Sequence, residues 1–199
     1  MSQTLTIDRM GGQGDGIADT SSGTVFAPLT LAGEVIEAEV IEGRLSDFRL
    51  VTPSKDRIDP SCAHFGSCGG CALQHWAMTP YLAFKRDQVR LALEREGIET
   101  EVLPTVAVPP GSRRRLALHA RRLPDGRVVL GFKARKSWRL VEINECSVAD
   151  PRLVAALPVL TRLAAAFLDH PKSAPTLHVT WTVSGLDVDV TGVERKSGG

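Results

Sequence analysis

Apolar and polar side chains alternate in short runs along the first fifty residues. The segment Gln3-Thr-Leu-Thr-Ile-Asp-Arg9 alternates as a half-buried strand does. Gly23-Thr-Val-Phe-Ala27, Glu34-Val-Ile-Glu-Ala-Glu-Val-Ile41 and Phe48-Arg-Leu-Val51 come next, punctuated by Pro28 and Gly33. Short strands at such regular spacing predict a small closed barrel. Between the first two lies Met10-Gly-Gly-Gln-Gly-Asp-Gly16. Its glycines at 12, 14 and 16 do not form a G-x-G-x-x-G fingerprint, and no helical pattern comes after them. It therefore reads as a turn between barrel strands and not as a phosphate-cradling loop. The two prolines in Thr52-Pro-Ser-Lys-Asp-Arg-Ile-Asp-Pro-Ser61 mark a linker.

The period changes at Thr79-Pro80. Tyr81, Leu82, Val89, Ala92 and Leu93 fall on one helical stripe, with Thr79 as cap, Pro80 at the first helical position and Gly97 as the stop. The stripe predicts core packing, and Lys85, Arg86 and Arg90 predict a solvated face. Strand patterning returns over Leu116 to Arg122, Arg127 to Lys133 and Trp138 to Ile143, with Pro124-Asp125-Gly126 as a hairpin turn. Asp150 is placed to cap an apolar helical segment, Leu153 to Leu168, despite Pro158. Leu177 to Val183 and Leu186 to Val190 then form a second hairpin about Ser184-Gly185. The sum is an α+β fold.

With 199 residues, 43% of them hydrophobic, the chain is long enough for one large or two small domains with real cores. No run of eighteen apolar residues occurs, so no membrane span is expected. The N-terminal Met-Ser-Gln-Thr lacks a basic-then-apolar signal sequence, which predicts a cytoplasmic protein. A net charge of +1 conceals segregation. Residues 1–50 carry eight acidic side chains, Glu42 among them, against Arg9, Arg44 and Arg49. Residues 113–139 carry ten basic side chains against Asp125 alone. That asymmetry predicts a polyanion-facing surface in the middle of the chain. Within it, Arg113, Arg114, Arg115, Arg121, Lys133, Arg135 and Lys136 are the candidate contacts to a polyanion, through bidentate phosphate bonds. Phe132 and Trp138 lie in the same run; each alone is expected in the core.

The chemistry concentrates in Cys62-Ala-His-Phe-Gly-Ser-Cys68-Gly-Gly-Cys71-Ala-Leu-Gln74-His75-Trp76. Three cysteines are spaced C-x5-C-x2-C, and the fourth, Cys146, lies in Asn144-Glu145-Cys146-Ser147. In a reducing compartment, clustered thiols bind metal more often than they pair as disulfides. Four thiolates suit zinc or an iron–sulfur cluster, and spacing alone leaves both open. Gly69 and Gly70 supply the backbone freedom a C-x2-C turn needs. Either metal would be structural, with no open coordination position, and would pin residues near 146 onto the loop near 62. His64 and His75 flank the thiols; His75 is expected in a supporting or packing role.

Two resemblances sharpen this reading. Gly-Asp-Gly-Ile-Ala, Gly-Thr-Val-Phe-Ala-Pro and Leu-Ala-Gly-Glu-Val-Ile-Glu-Ala-Glu-Val, within residues 1–52, resemble a TRAM domain, an OB-like RNA-binding barrel. TRAM surfaces that hold RNA are basic and this one is acidic, so a purely structural role stays open. Cys62-x5-Cys68-Gly-Gly-Cys71-x2-Gln74-His75, Arg113-Arg-Arg-Leu116, and Gly131-Phe132-Lys133 leading to Val141-Glu-Ile-Asn-Glu-Cys146 resemble the RNA (uracil-5-)methyltransferases of the TrmA and RumA family. The x5-then-x2 spacing departs from the x3-then-x2 spacing of radical-SAM enzymes. Membership implies a [4Fe–4S] cluster on Cys62, Cys68, Cys71 and Cys146, and S-adenosylmethionine-dependent methylation of uracil C5. The substrate implied is ribosomal RNA of the large subunit (23S) in preference to tRNA, which makes the seven candidate polyanion contacts candidate RNA contacts.

Such chemistry needs a thiolate to add at uracil C6, yet all four cysteines are assigned to the cluster. No strand, glycine-rich loop and helix in series offers a cofactor site either. In the family both belong to a C-terminal Rossmann-like domain, and this sequence ends about where that domain should begin. The chain is therefore expected to be the N-terminal and central part of a longer methyltransferase, or a truncated relative, inactive by itself. Its expected divisions are a TRAM-like barrel over 1–52, a linker and cysteine loop over 53–78, and a central α+β domain over 79–199 that completes the cluster through Cys146. The alternative is a free-standing, non-catalytic RNA-binding module with a structural four-cysteine metal site. The sequence carries no sign of oligomeric state.

Overall fold

The alternating stretches of the N-terminal quarter become six strands: β1 (Ser2–Thr6), β2 (Arg9–Met10), β3 (Gly16–Thr20), β4 (Gly23–Ala27), β5 (Val35–Ile41) and β6 (Arg44–Thr52). The structure is a computed structural model that describes residues 2–41, 43–170 and 173–193. Glu42 of the acidic set and the terminal Ser197-Gly198-Gly199 lie outside the described residues. The strands form one sheet in the order β1-β5-β6-β4-β3-β2. All its ladders are antiparallel except the single β4–β6 pairing of Phe26 with Arg44.

The expected closed barrel is not what forms: no ladder joins the two outermost strands among the described residues. They are halves of one N-terminal segment, broken at Ile7-Asp8, and each half pairs a different neighbour. At the break the Ile7 N–H donates to Glu34 O and the Asp8 N–H to Ile17 O, each at 2.8 Å. Leu5, Ala18, Val25, Ala27, Ile36 and Ala38 form the core on the inner face. β3 starts at Gly16, where the sequence predicts only the end of a turn. Its first three residues, Gly16, Ile17 and Ala18, are all buried, so it shows no alternation to detect.

A buried ion pair ties the linker to this sheet. The Glu34 carboxylate is fully buried and accepts from Leu31 N (2.8 Å), Ser54 N (3.2 Å) and Arg57 Nη2 (2.8 Å). Burial pushes this carboxyl up, but Arg57 and the two N–H donors outweigh it and hold the group below the usual glutamate range. The linker is thus ordered by pairing: Arg57 bridges to Trp76, and Ile58 N–H donates to His75 O at 2.9 Å.

Helix α1 (Met78–Arg95) begins one residue before the expected cap, after Ala77, with no side-chain cap. The predicted core stripe is a correction: none of its residues is buried, and Val89 and Ala92 are not in any core. The first turns set Tyr81 and Phe84 against the Trp76 ring at centroid distances of 6.3 and 5.2 Å, and further along Arg86 Nε donates to Val102 O at 2.6 Å.

The second sheet contains β7 (Arg115–Arg122), β8 (Val128–Lys133), β9 (Leu140–Glu142), β10 (Thr176–Thr182) and β11 (Gly185–Thr191), in the order β11-β10-β7-β8-β9, antiparallel throughout. The apolar segment before β10 is two helices, α2 (Pro151–Ala155) and α3 (Leu157–Ala165), because Pro158 opens a new helix instead of interrupting one. Asp150 caps α2 as expected, accepting from Arg152 N at 3.0 Å. Leu116, Leu118, Leu130, Leu177 and Val179 meet Leu153, Leu157 and Leu160 in the core. That leaves the opposite face of the sheet polar, with Arg115, His119, Arg121 and Lys133 at alternate positions of β7 and β8. The chain divides into two compact units, Met1–Ser61 with Cys71–Ala107, and Cys62–Gly70 with Val108–Gly199.

Candidate metal centre and nucleic-acid interface

The first part of the cysteine loop, Cys62–Gly70, is fastened to the second sheet and the segment after β9. Ala63 N–H donates to the Glu145 carboxylate and His64 Nε2 meets Asn144 Oδ1, both at 3.1 Å. Gly69 N–H donates to Lys133 O at 2.9 Å. Neither Gly69 nor Gly70 has positive φ, so the freedom expected of them is not what the turn uses. Gly69 is required by close approach: a Cβ there would lie 2.7 Å from Lys133 O and 2.9 Å from Arg135 N. Cys146 packs against the core of the same unit, and its carbonyl accepts from Ala149 N at 3.2 Å.

All four cysteines are half-buried thiols outside any disulfide. Among the described residues, no three His, Cys, Asp or Glu side chains converge closely enough to hold a metal ion as the chain stands. The donor set nevertheless suits a soft metal in kind. Four thiols outside any disulfide are available, and Gly70 N–H donates to Cys68 Sγ at 3.3 Å.

His75 is no ligand in this arrangement. Its ring is buried among the residues of the first unit, and burial, with the Arg57 charge adding to it, pushes its pKa down to about 4. The packing role expected of it is the one observed. The neighbouring Gln74 Oε1 is a buried oxygen with no hydrogen-bond partner among the described residues.

The seven candidate RNA contacts do not form one patch. Arg113, Arg114 and Arg115 sit at the start of β7 and are exposed. Arg113 is fixed there by a bridge to Ala149, and Arg114 O accepts from Trp181 N at 2.9 Å. Arg121 lies at the far end of β7, about 20 Å away at the ordinary strand rise. Arg135 and Lys136 occupy the turn after β8, where Lys136 takes a left-handed backbone (φ 48°). Arg121 and Lys133 are brought together on one groove of about 900 Å³. Several other cations of the run are already engaged: Arg127 pairs with Glu142 at 2.9 Å, and Arg122 donates to the carbonyls of Gly126 and Ala165.

Two residues of this groove are not legible as such in the sequence. Trp138, expected in the core, is 80% exposed and lies under the Lys133 ammonium, 3.8 Å from ring centroid to Nζ. Phe132, in contrast, packs against the core as expected. His119 lines the groove with its Nδ1 2.9 Å from Thr176 Oγ1. Burial, with Lys133 and His178 adding to it, holds His119 below the ordinary histidine range, hence neutral at pH 7. Its placement on the polar face comes from β7 alternation once the strand register is known.

No family model matches the chain. An uncharacterized RNA methyltransferase of Caulobacter vibrioides is 61% identical over 199 residues, covering 99% of this chain and 48% of that protein. A 23S rRNA (uracil(1939)-C(5))-methyltransferase, RlmD, of a Marinomonas species is 35% identical over 163 residues, 79% of this chain and 37% of the relative. This chain belongs to the same family as these RNA methyltransferases. It spans about half the length of the curated relatives it matches. Among solved structures, the Pyrococcus abyssi tRNA (uracil-54, C5)-methyltransferase, determined with S-adenosyl-L-homocysteine, superposes with a TM-score of 0.61. The superposition covers 97% of this chain and 46% of that one, and at 22% identity it speaks to the fold. The α+β architecture with antiparallel sheets is thus one the methyltransferase family uses.

Proposed function

We propose that this chain is the RNA-gripping, [4Fe–4S]-carrying part of an S-adenosylmethionine-dependent RNA (uracil-C5)-methyltransferase acting on 23S rRNA. The observation that carries this is the 35% identity to a 23S rRNA uracil-C5 methyltransferase across 79% of the chain. In this reading residues 1–52 are a TRAM-like, OB-like domain. Residues 53–78 are the linker and cysteine loop, and residues 79–199 are the central domain.

Cys62, Cys68, Cys71 and Cys146 would hold the cluster. When bound, it supplies a structural cross-link between the loop and the segment after β9. The hydrogen bonds from Ala63 to Glu145 and from His64 to Asn144 support that assignment, since they already hold the two segments side by side. With the four thiols so committed, the chain's own residues bind and orient RNA. The attack on uracil C6 and the binding of S-adenosylmethionine belong to the part of the whole protein that this chain does not span. Exposed cations at both ends of β7 support the RNA role.

Two measurements test the reading. Chain purified without oxygen should contain four irons and four sulfides per molecule, by [4Fe–4S] stoichiometry, and should absorb in the visible. Cys146→Ser should lose most of that iron; retention of the full content would overturn the ligand assignment. Zinc with no sulfide would favour the non-catalytic module. The whole protein should transfer methyl groups to uracil C5 of 23S rRNA, and transfer confined to tRNA would overturn the substrate assignment.

A further inference from the structure

We propose that the groove bounded by Arg121, Lys133 and Trp138 seats one unpaired ribonucleotide. Its base stacks on the Trp138 indole, and Arg121 and Lys133 take its flanking phosphates. The inference rests on the RNA-binding reading above and adds a specific subsite to it.

An indole 80% exposed is a large apolar surface left in water, at a groove lined by Arg121 and Lys133 and by Leu140, Leu168 and Pro175. It is also held in place. Ala134 N–H donates to Arg139 O at 2.8 Å and Ser137 N–H to Ala134 O at 3.2 Å, closing the turn that carries Trp138. Lys133 Nζ stands over one ring face, which fixes the ring's orientation and enriches its surroundings in positive charge. An aromatic ring presented beside cations is the arrangement that binds single-stranded nucleic acid.

The rest of the groove suits the same ligand. Arg121 and Lys133 carry no ion pair among the described residues, so their charge is available for phosphate. Asp169 is the one carboxylate on the lining among the described residues. His119 is neutral and already oriented by Thr176, so it offers hydrogen bonding to a base edge without adding charge. A groove of about 900 Å³ lies in the size range that encloses one small organic ligand, roughly 300–1,000 Å³. A base-paired helix hides its base faces and cannot use the indole. An acidic peptide would engage the cations and leave the indole idle.

The test is binding of the 199-residue chain to a labelled single strand of RNA, about nine nucleotides long, and to the same sequence as a duplex, by fluorescence anisotropy. Trp138→Ala should weaken single-strand binding roughly tenfold and leave duplex binding unchanged. Trp138→Phe should restore most of the loss. Arg121→Gln should weaken binding and lower the slope of log affinity against log salt by about 0.7. Because the ring is exposed, the melting temperature of Trp138→Ala should match the parent chain. If Trp138→Ala binds the single strand as the parent does, or loses single strand and duplex equally, the subsite is wrong while the RNA reading stands. If polyglutamate competes as well as RNA of equal charge, the subsite is likewise wrong. If the parent chain binds neither RNA, the RNA reading falls and the subsite with it.

Discussion

Glu34 is the residue whose loss should be felt most in the first unit. Its carboxylate is the acceptor for two backbone N–H groups and for Arg57. Glu34→Gln removes the charge that compensates Arg57 and should lower stability by about 3 kcal/mol in urea unfolding. His75, buried beside this pair, makes a separate pH prediction. It is neutral in the fold with a pKa of about 4, whereas the unfolded chain takes up its proton near 6.5. The unfolded state therefore binds more protons in that window, and stability should fall as pH drops from 6.5 towards 4, by about 3 kcal/mol in all. Glu34 adds its own loss only below the ordinary glutamate range, so the slope between pH 6.5 and 4.5 comes from His75 together with His119, which burial also holds below the ordinary histidine range. His75→Gln should make that slope shallower in unfolding curves taken across the window. Of these residues, only the packing role of His75 is legible from sequence. Arg57 sits in a polar linker, and its partner lies 23 positions away, a separation that periodicity does not report. Trp138 escapes sequence reasoning for a related reason: an aromatic inside a basic run fits a core or a platform equally well, and Trp138 lies outside any strand, in the connection between β8 and β9, where alternation assigns no face.

At the scale of elements, alternation locates nearly every strand, because each sheet buries one face and leaves the other wet. It fails at β3, whose start is buried on both sides, and at α1, whose stripe has helical spacing without a buried face. The Cys62–Gly70 loop is held by backbone proximity that no pattern of residue types announces. Gly69→Ala should force that loop off the Lys133–Arg135 backbone and cost about 2 kcal/mol. Gly131→Ala should cost more, because its Cβ would sit 1.9 Å from Val141 O, in backbone that cannot rotate aside. The β8–β9 pairing would open, and amide exchange at Val141 and Glu142 should rise with it. If Gly69→Ala melts with the parent chain, the close approach is not a constraint on the fold.

For the whole molecule, each compact unit draws on two separated stretches of chain. The second begins with Cys62–Gly70 and resumes only at Val108. During synthesis the loop therefore leaves the ribosome well before its partners. His64 precedes Asn144 by 80 residues. At translation rates of about 5–20 residues per second that is a delay of roughly 4 to 16 s. Until that interval closes, Cys62 and Cys68 stand in a nascent chain without the complete 133–146 segment to shelter them. The arrangement makes the fate of these two thiols a matter of timing, and slowing translation between codons 71 and 133 should lengthen their exposure to oxidants and alkylating reagents in proportion.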